Sequence, residues 1–167
     1  MPTATAEKIR KPISQLKYPA VHEIPIQRIR LVAEGVARYD QGVSSVASFE
    51  QLEAMMRPLF DGAPTEEMWI GIMDSAMRPI CIYKAGFGTD NQCVVYPKEI
   101  MKAVLLSGGT SIVLAHNHPS GECRPSQQDR ELTRAIQSAA QVLQVRVIDH
   151  LIVTENGSFS FRREGLL

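Results

Sequence analysis

The spacing of apolar residues changes several times along the 167-residue chain, and each change predicts an element. In residues 21–32, "VHEIPIQRIRLV", Ile24, Ile26, Ile29 and Leu31 alternate with polar positions, with a slip near Pro25. A period of two predicts a strand, because successive strand side chains face opposite ways. Residues 33–47 read as loop. From Ser48 the period lengthens, and Phe49, Leu52, Met56 and Leu59 fall along one side of a helix. Ser48 and Gln51 form a capping box at its start, and Pro58 and Gly62 mark its end. Residues 66–74, 79–86 and 93–96 predict three strands, the first two joined by a turn at 75–78. Pro97 suits the first position of a second helix, which presents Ile100, Met101, Val104 and Leu105 and stops at Gly108-Gly109. The unbroken apolar run "SIVLA" at 111–115 predicts a strand buried on both faces. A third helix runs from Ser126 to about Leu143, with Leu132, Ile136, Ala139, Ala140 and Leu143 inward. A strand from Val145, "VRVIDHLIVT", and an Asn156-Gly157 hairpin into "SFSF" follow.

The order β-α-β-β-β-α-β-α-β-β predicts an α/β fold, one mixed sheet with helices packed on it. No internal repeat or linker divides it, so the expected domain spans residues 21–167, after a flexible basic tail over 1–20. Apolar residues make up 44% of the chain and charged residues 22%, enough core to exclude global disorder. Eighteen basic residues balance eighteen acidic ones, so net charge offers no general argument for nucleic acid or membrane binding. The balance is uneven locally. Residues 1–30 carry Lys8, Arg10, Lys11, Lys17, Arg28 and Arg30 against Glu7 and Glu23. A solvated tail is the simpler reading of that start, and His22 belongs to its surface. Cys81, Cys93 and Cys123 are odd in number and form no CxxC, so neither a disulfide framework nor a zinc knuckle is indicated. With no apolar run of membrane-spanning length and no signal core in residues 1–20, the expectation is a cytoplasmic protein.

The chemistry is concentrated in residues 115–129, "AHNHPSGECRPSQQD". Side chains two apart on extended chain share a face, so His116 and His118 point together and Asn117 away. Two imidazoles at a strand end suit a borderline-soft divalent metal that needs a third ligand. Pro119, Gly121 and Pro125 force an irregular excursion that can return Asp129, in the first turn of the next helix, to the two histidines. Two nitrogens and one carboxylate oxygen leave a fourth tetrahedral position for water, the mark of a catalytic rather than a structural zinc site. Asp129 has a plainer reading too, because Ser126 and Asp129 are the N-cap and N3 of a capping box. A general base is also required, and spacing alone leaves Glu66, Glu67, Glu99, Glu122 and Asp74 open.

His116-x-His118-Pro119 followed by Ser126-x-x-Asp129 resembles the metal motif of the JAMM (JAB1/MPN+) metalloproteases. The longer string "HNHPSG" with "PSxxD" is similar to the RadC branch, and the resemblance covers about residues 48–167. Gly88-Thr89, Pro97-Lys98-Glu99 and Asp149-His150-Leu151-Ile152 support it. The resemblance implies a three-layer α-β-α sandwich with a mixed sheet, of cytidine-deaminase-like type. It implies one Zn2+ per chain, held by His116, His118 and Asp129. It further implies a catalytic glutamate at the start of an upstream strand, and alignment on Asp74 gives Glu66, with Glu67 its adjacent competitor. Ser126 would stabilise the oxyanion. The implied activity is that of a zinc metallopeptidase or isopeptidase acting on a peptide or a ubiquitin-like protein.

The chain departs from the branch in two places. Residues 1–47 offer a basic tail and one strand where RadC-type proteins often carry a helix-hairpin-helix region associated with DNA. A DNA-repair or mobile-element accessory role is therefore the second reading, and a non-catalytic MPN interaction module the third. Cys123 stands where Pro or a small residue is commoner, and an inert, partly buried thiol is its expected role. His150 is expected to be a satisfied structural histidine and Trp69 a core residue rather than a wall of the substrate groove. The oligomeric state is not legible.

Overall fold

A computed structural model of the chain describes residues 32–33, 35–36, 45–46, 48–89, 92–93 and 95–167. These belong to the compact unit Leu31–Leu167. The basic tail and, apart from Val32, the strand expected over residues 21–32 lie outside the described residues.

Helix α1 (Phe49–Met56) begins at Ser48 with both hydrogen bonds of the capping box in place, and a 3-10 turn, Arg57–Phe60, continues it. Strand β1 (Glu67–Met73) turns into β2 (Pro79–Thr89), which runs three residues past the expected end at Gly86. Strand β3 is Gln92–Cys93, which shares Cys93 with the strand expected over 93–96; Val94 lies outside the described residues, and Val95 and Tyr96 are not in a strand. The chain has to leave the sheet there, because Tyr96 is already the N-cap of α2 (Pro97–Ser107). Strand β4 (Ser111–Asn117) is buried at all seven positions, as its unbroken apolar run predicts. Helix α3 (Gln127–Val142), β5 (Arg146–Thr154) and β6 (Gly157–Ser160) follow. The residues that α3 buries are Thr133, Ile136 and Ala140. Leu143, expected inward, is instead the C-cap and is 39% exposed, since the chain turns there toward β5.

The strands lie in the order β3-β2-β1-β4-β5-β6. Only β4 and β5 are parallel, joined through α3, so the sheet is mixed and β4 sits inside it. Its two faces carry separate apolar clusters. Met68, Ile70, Ile72, Ile112 and Leu114 meet α2 and α3. Met73, Val113, Ala115, Leu151 and Val153 meet α1, with Trp69 partly buried against them. The alternation of β1 and β4 residues between the clusters is the two-residue period of the pleat. No helix of the described residues is long and apolar enough to cross a membrane.

Candidate metal centre

The site forms at the carboxyl end of β4, where α3 begins. His116 continues the row Ile112, Leu114 toward α3 and pairs in register with Met68 of β1 and Ile152 of β5. The His118 amide still reaches the Val153 carbonyl at 3.2 Å, so the extended path persists one residue beyond β4. The two imidazoles therefore converge, their Nε2 atoms 3.0 Å apart. The chain then folds back through Gly121, whose φ of +80° favours glycine, and the Gly121 amide bonds the His118 carbonyl at 3.0 Å.

Asp129 reaches the same point through its cap. Its amide donates to Ser126 Oγ at 3.1 Å, and its Oδ2 accepts the Ser126 amide at 2.7 Å and the Ser126 hydroxyl at 2.6 Å. That geometry fixes the carboxylate so that Oδ1 lies 3.2 Å from His116 Nε2 and Oδ2 lies 3.5 Å from His118 Nε2. Capping and convergence are thus one arrangement. The His116–His118–Asp129 group is also the set of metal-competent side chains found among the described residues.

The hydrogen-bond partners behind the histidines determine which nitrogen carries the proton. Thr133 spends its only hydroxyl proton on the Asp129 carbonyl, 2.6 Å away. Its Oγ1 can therefore only accept from His150 Nδ1, at 2.7 Å. A neutral His150 then has a bare Nε2, which accepts from His116 Nδ1 at 2.8 Å. Neutral His116 is left with a lone pair on Nε2. His118 Nδ1 donates to the Glu122 carbonyl at 2.7 Å, which leaves a lone pair on its Nε2 as well. Two lone pairs and a carboxylate thus face one another, an arrangement that a cation stabilises. The three spacings are close to the edge of about 3.3 Å expected for a tetrahedron of N and O ligands around zinc. The residues fit the ion.

A proton on the imidazoles can supply the same positive charge. Burial works against the Asp129 charge, but the hydrogen bonds that His116 and His118 make to it when Nε2 is protonated outweigh burial and hold the carboxyl well below the usual range. Burial likewise opposes a charged His118, but Asp129, the Glu122 carbonyl and Glu66 outweigh it and raise its pKa. His150 is pushed well below the ordinary histidine value, first by burial and then by His116.

A cavity of about 610 Å3 opens over the group, lined by Glu66, Ser126, Met68, Val95 and Leu132 among others. The β1–β4 register explains why Glu66 lines it and Glu67 does not. Met68 stands opposite His116, and two further residues along an antiparallel pair Glu66 stands beside His118. Glu67 has the opposite parity, and its carboxylate pairs with Lys84 at 2.7 Å and accepts from Trp69 Nε1 at 3.0 Å. The remaining acids fare differently. Glu122 lines the cavity. Asp74 closes the turn at the other end of β1 through Ala76 and Arg78, and Glu99 pairs with Lys102 on α2. Cys123 is turned to Thr154, with Sγ 3.1 Å from the hydroxyl, and is not one of the converging ligands. Trp69 belongs to the cluster with α1, on the opposite face of the sheet from His116.

Sequence reasoning left three contributors without a role at the site: His150, Thr133 and Asn117. Asn117 does point away from the metal group, as period two requires, and its amide holds the Thr65 carbonyl and the Glu67 amide. The alternation of "HNH" carries that signal. Thr133 has none, being one hydroxyl in a helical apolar stripe.

A family model described as RadC-like JAB domain matches residues 46–166. A UPF0758 protein of Flavobacterium johnsoniae is 34% identical over 134 residues, 80% of this chain and 57% of that protein. One from Cupriavidus pinatubonensis is 32% identical over 157 residues, 93% of this chain and 66% of its own length. Another, from Haemophilus ducreyi, is 42% identical over 99 residues, covering 59% of this chain and 44% of that protein. The chain thus spans about half to two thirds of the length of these curated relatives.

Proposed function

The chain belongs to the RadC-like JAB domain family, and from that premise we propose that it is a zinc-dependent hydrolase cleaving a peptide or isopeptide bond, that of a ubiquitin-like protein included. The observation that carries this reading is the convergence of two histidine lone pairs and the Asp129 carboxylate beneath a cavity that Glu66 also lines. The separation of the apolar clusters, α2 and α3 on one face and α1 on the other, supports the three-layer α-β-α sandwich of the family. The free thiols of Cys81 and Cys123 suit a cytoplasmic setting.

His116 Nε2, His118 Nε2 and an Asp129 oxygen would hold one Zn2+. When bound, zinc would supply Lewis acidity, which lowers the pKa of a nearby water to about 7 and polarises a carbonyl. The Glu66 carboxylate accepts a proton from the attacking water and returns it to the leaving nitrogen. The acyl carbon gains the hydroxyl, the C–N bond breaks and the amine leaves with the proton. Ser126 donates its hydroxyl, now held on Asp129, to the oxygen that gains charge as the carbonyl is attacked. Met68, Val95 and Leu132 give the cavity an apolar wall that limits water near these groups.

The test is metal content by mass spectrometry on protein purified without added metal, beside Asp129→Ala, followed by a cleavage screen with peptides and ubiquitin-like fusions. One zinc per wild-type chain, lost in the variant, and cleavage by the wild type are expected. No metal in either protein after zinc is added would overturn the reading.

A further inference from the structure

Behind the converging ligands stands a second set of buried polar groups that the hydrolytic reading does not use. His150 is fully buried on β5, and Thr133 is 1% exposed on α3. They connect the two elements that supply the ligands. Thr133 lies one helical turn after Asp129 and donates to its backbone carbonyl. The same hydroxyl accepts from His150, and His150 accepts from His116 on β4. The Phe161 ring, stacked on His150 with centroids 4.6 Å apart, holds the imidazole from its face. The chain of contacts therefore ties the helix that carries the carboxylate to the strand that carries the first histidine.

We propose that Thr133 and His150 are positioning residues for the metal, fixing the His116 tautomer and the distance between α3 and β4, and so setting zinc affinity. This rests on the zinc reading above. Each link has a single chemically allowed direction. Without the Thr133 oxygen, His150 has no acceptor that holds its proton on Nδ1. Its proton can then move to Nε2, which turns His116 Nδ1 into an acceptor and places the His116 proton on the nitrogen that must ligate. Hydrogen-bond partners of ligating histidines act this way generally, orienting the ring and raising its basicity.

The experiment is the zinc affinity of the full chain, by competition with a chromophoric chelator, for wild type, Thr133→Val, Thr133→Ser and His150→Leu. Thr133→Val removes the hydroxyl and keeps the shape, so it carries the test alone if His150→Leu does not fold. The dissociation constant is expected to rise about 10–100-fold in Thr133→Val and His150→Leu, and to stay at the wild-type value in Thr133→Ser. A merely structural role would lower the melting temperature of the metal-free protein and leave the affinity where it was. Wild-type affinity in Thr133→Val overturns the proposal, as does a loss in Thr133→Ser equal to that in Thr133→Val. A wild-type chain that binds no zinc overturns the zinc reading and this proposal together.

Discussion

Asn117 Oδ1 accepts the Glu67 amide at 2.7 Å, while Asn117 Nδ2 donates to the Thr65 carbonyl at 3.0 Å. One buried side chain thus grips the backbone on both sides of Glu66. The strand that ends in the two histidines thereby also fixes the entry to β1. The residue between the histidines points away from them, as period two requires, and is placed to hold the glutamate across the strand pair.

This placement separates the two neighbouring glutamates. Glu66→Gln should bind zinc as the wild type does and lose turnover by a factor of at least about 100, the usual contribution of a positioned general base. Glu67→Gln should keep turnover and lose stability by about 1 kcal/mol or less, since its partner Lys84 is partly exposed. Zinc content, turnover and urea midpoints of the two variants check the assignment. An active Glu66→Gln enzyme would sink it.

Much of this was legible in the sequence for local reasons. The Ser48 and Ser126 capping boxes lie within four consecutive residues each, and the buried run of β4 and the convergence of His116 with His118 follow from the pleat. Asp129 was legible both as a cap and as a candidate ligand; it caps α3, and its carboxylate lies with the two histidines. What local pattern could not supply was pairing at a distance. Choosing between Glu66 and Glu67 needs the β1–β4 register, and the contacts of His150 join residues 17 and 34 positions apart. Residues 93–96 have strand composition, yet the strand cannot extend to Tyr96, which serves as the cap of α2.

Ser126 combines two tasks that one substitution can separate by magnitude. Ser126→Ala removes the side chain that accepts the Asp129 amide, which should cost about 1 kcal/mol of stability. It also removes the hydroxyl available to a developing oxyanion, which should lower turnover about 100- to 1000-fold. Chemical denaturation and turnover on the same preparation distinguish the two. A loss of stability with undiminished turnover would leave Ser126 as a cap alone.

Gly109 tests the packing between the end of α2 and the sheet. A Cβ built there would lie 2.2 Å from Ile72 Cγ2, and Ile72 is fully buried in β1. The branched chain has little room to move, so Gly109→Ala should destabilise the fold by about 1–3 kcal/mol, the range for overpacked cores. A lower urea midpoint with an unchanged slope is the expected signature. An unchanged midpoint would mean that the chain at Gly109 shifts without cost.

The buried imidazole of His150 gives the metal-free protein a pH dependence of definite sign. Its pKa is depressed in the folded state, chiefly by burial and then by His116. As pH falls below the unfolded value of about 6.5, the unfolded chain gains a proton that the folded chain refuses, so stability is lost toward the depressed folded value. His118 acts in the opposite sense. Its folded pKa is raised, so its contribution is complete below about 6.5 and fades as pH rises through the raised value. The two can be separated by substitution. In metal-free protein, His150→Leu should flatten the fall in stability between about pH 6.5 and pH 5 that the unfolded histidine drives. His118→Leu should leave that fall as it is, since its contribution is already complete there, and should instead remove a loss of stability as pH rises above about 6.5. Urea unfolding on both sides of about pH 6.5 checks the two slopes. A fall as steep in His150→Leu as in the wild type would mean that the acid sensitivity arises elsewhere, and not from Asp129, whose depressed carboxyl loses its contribution only below the ordinary carboxylate range.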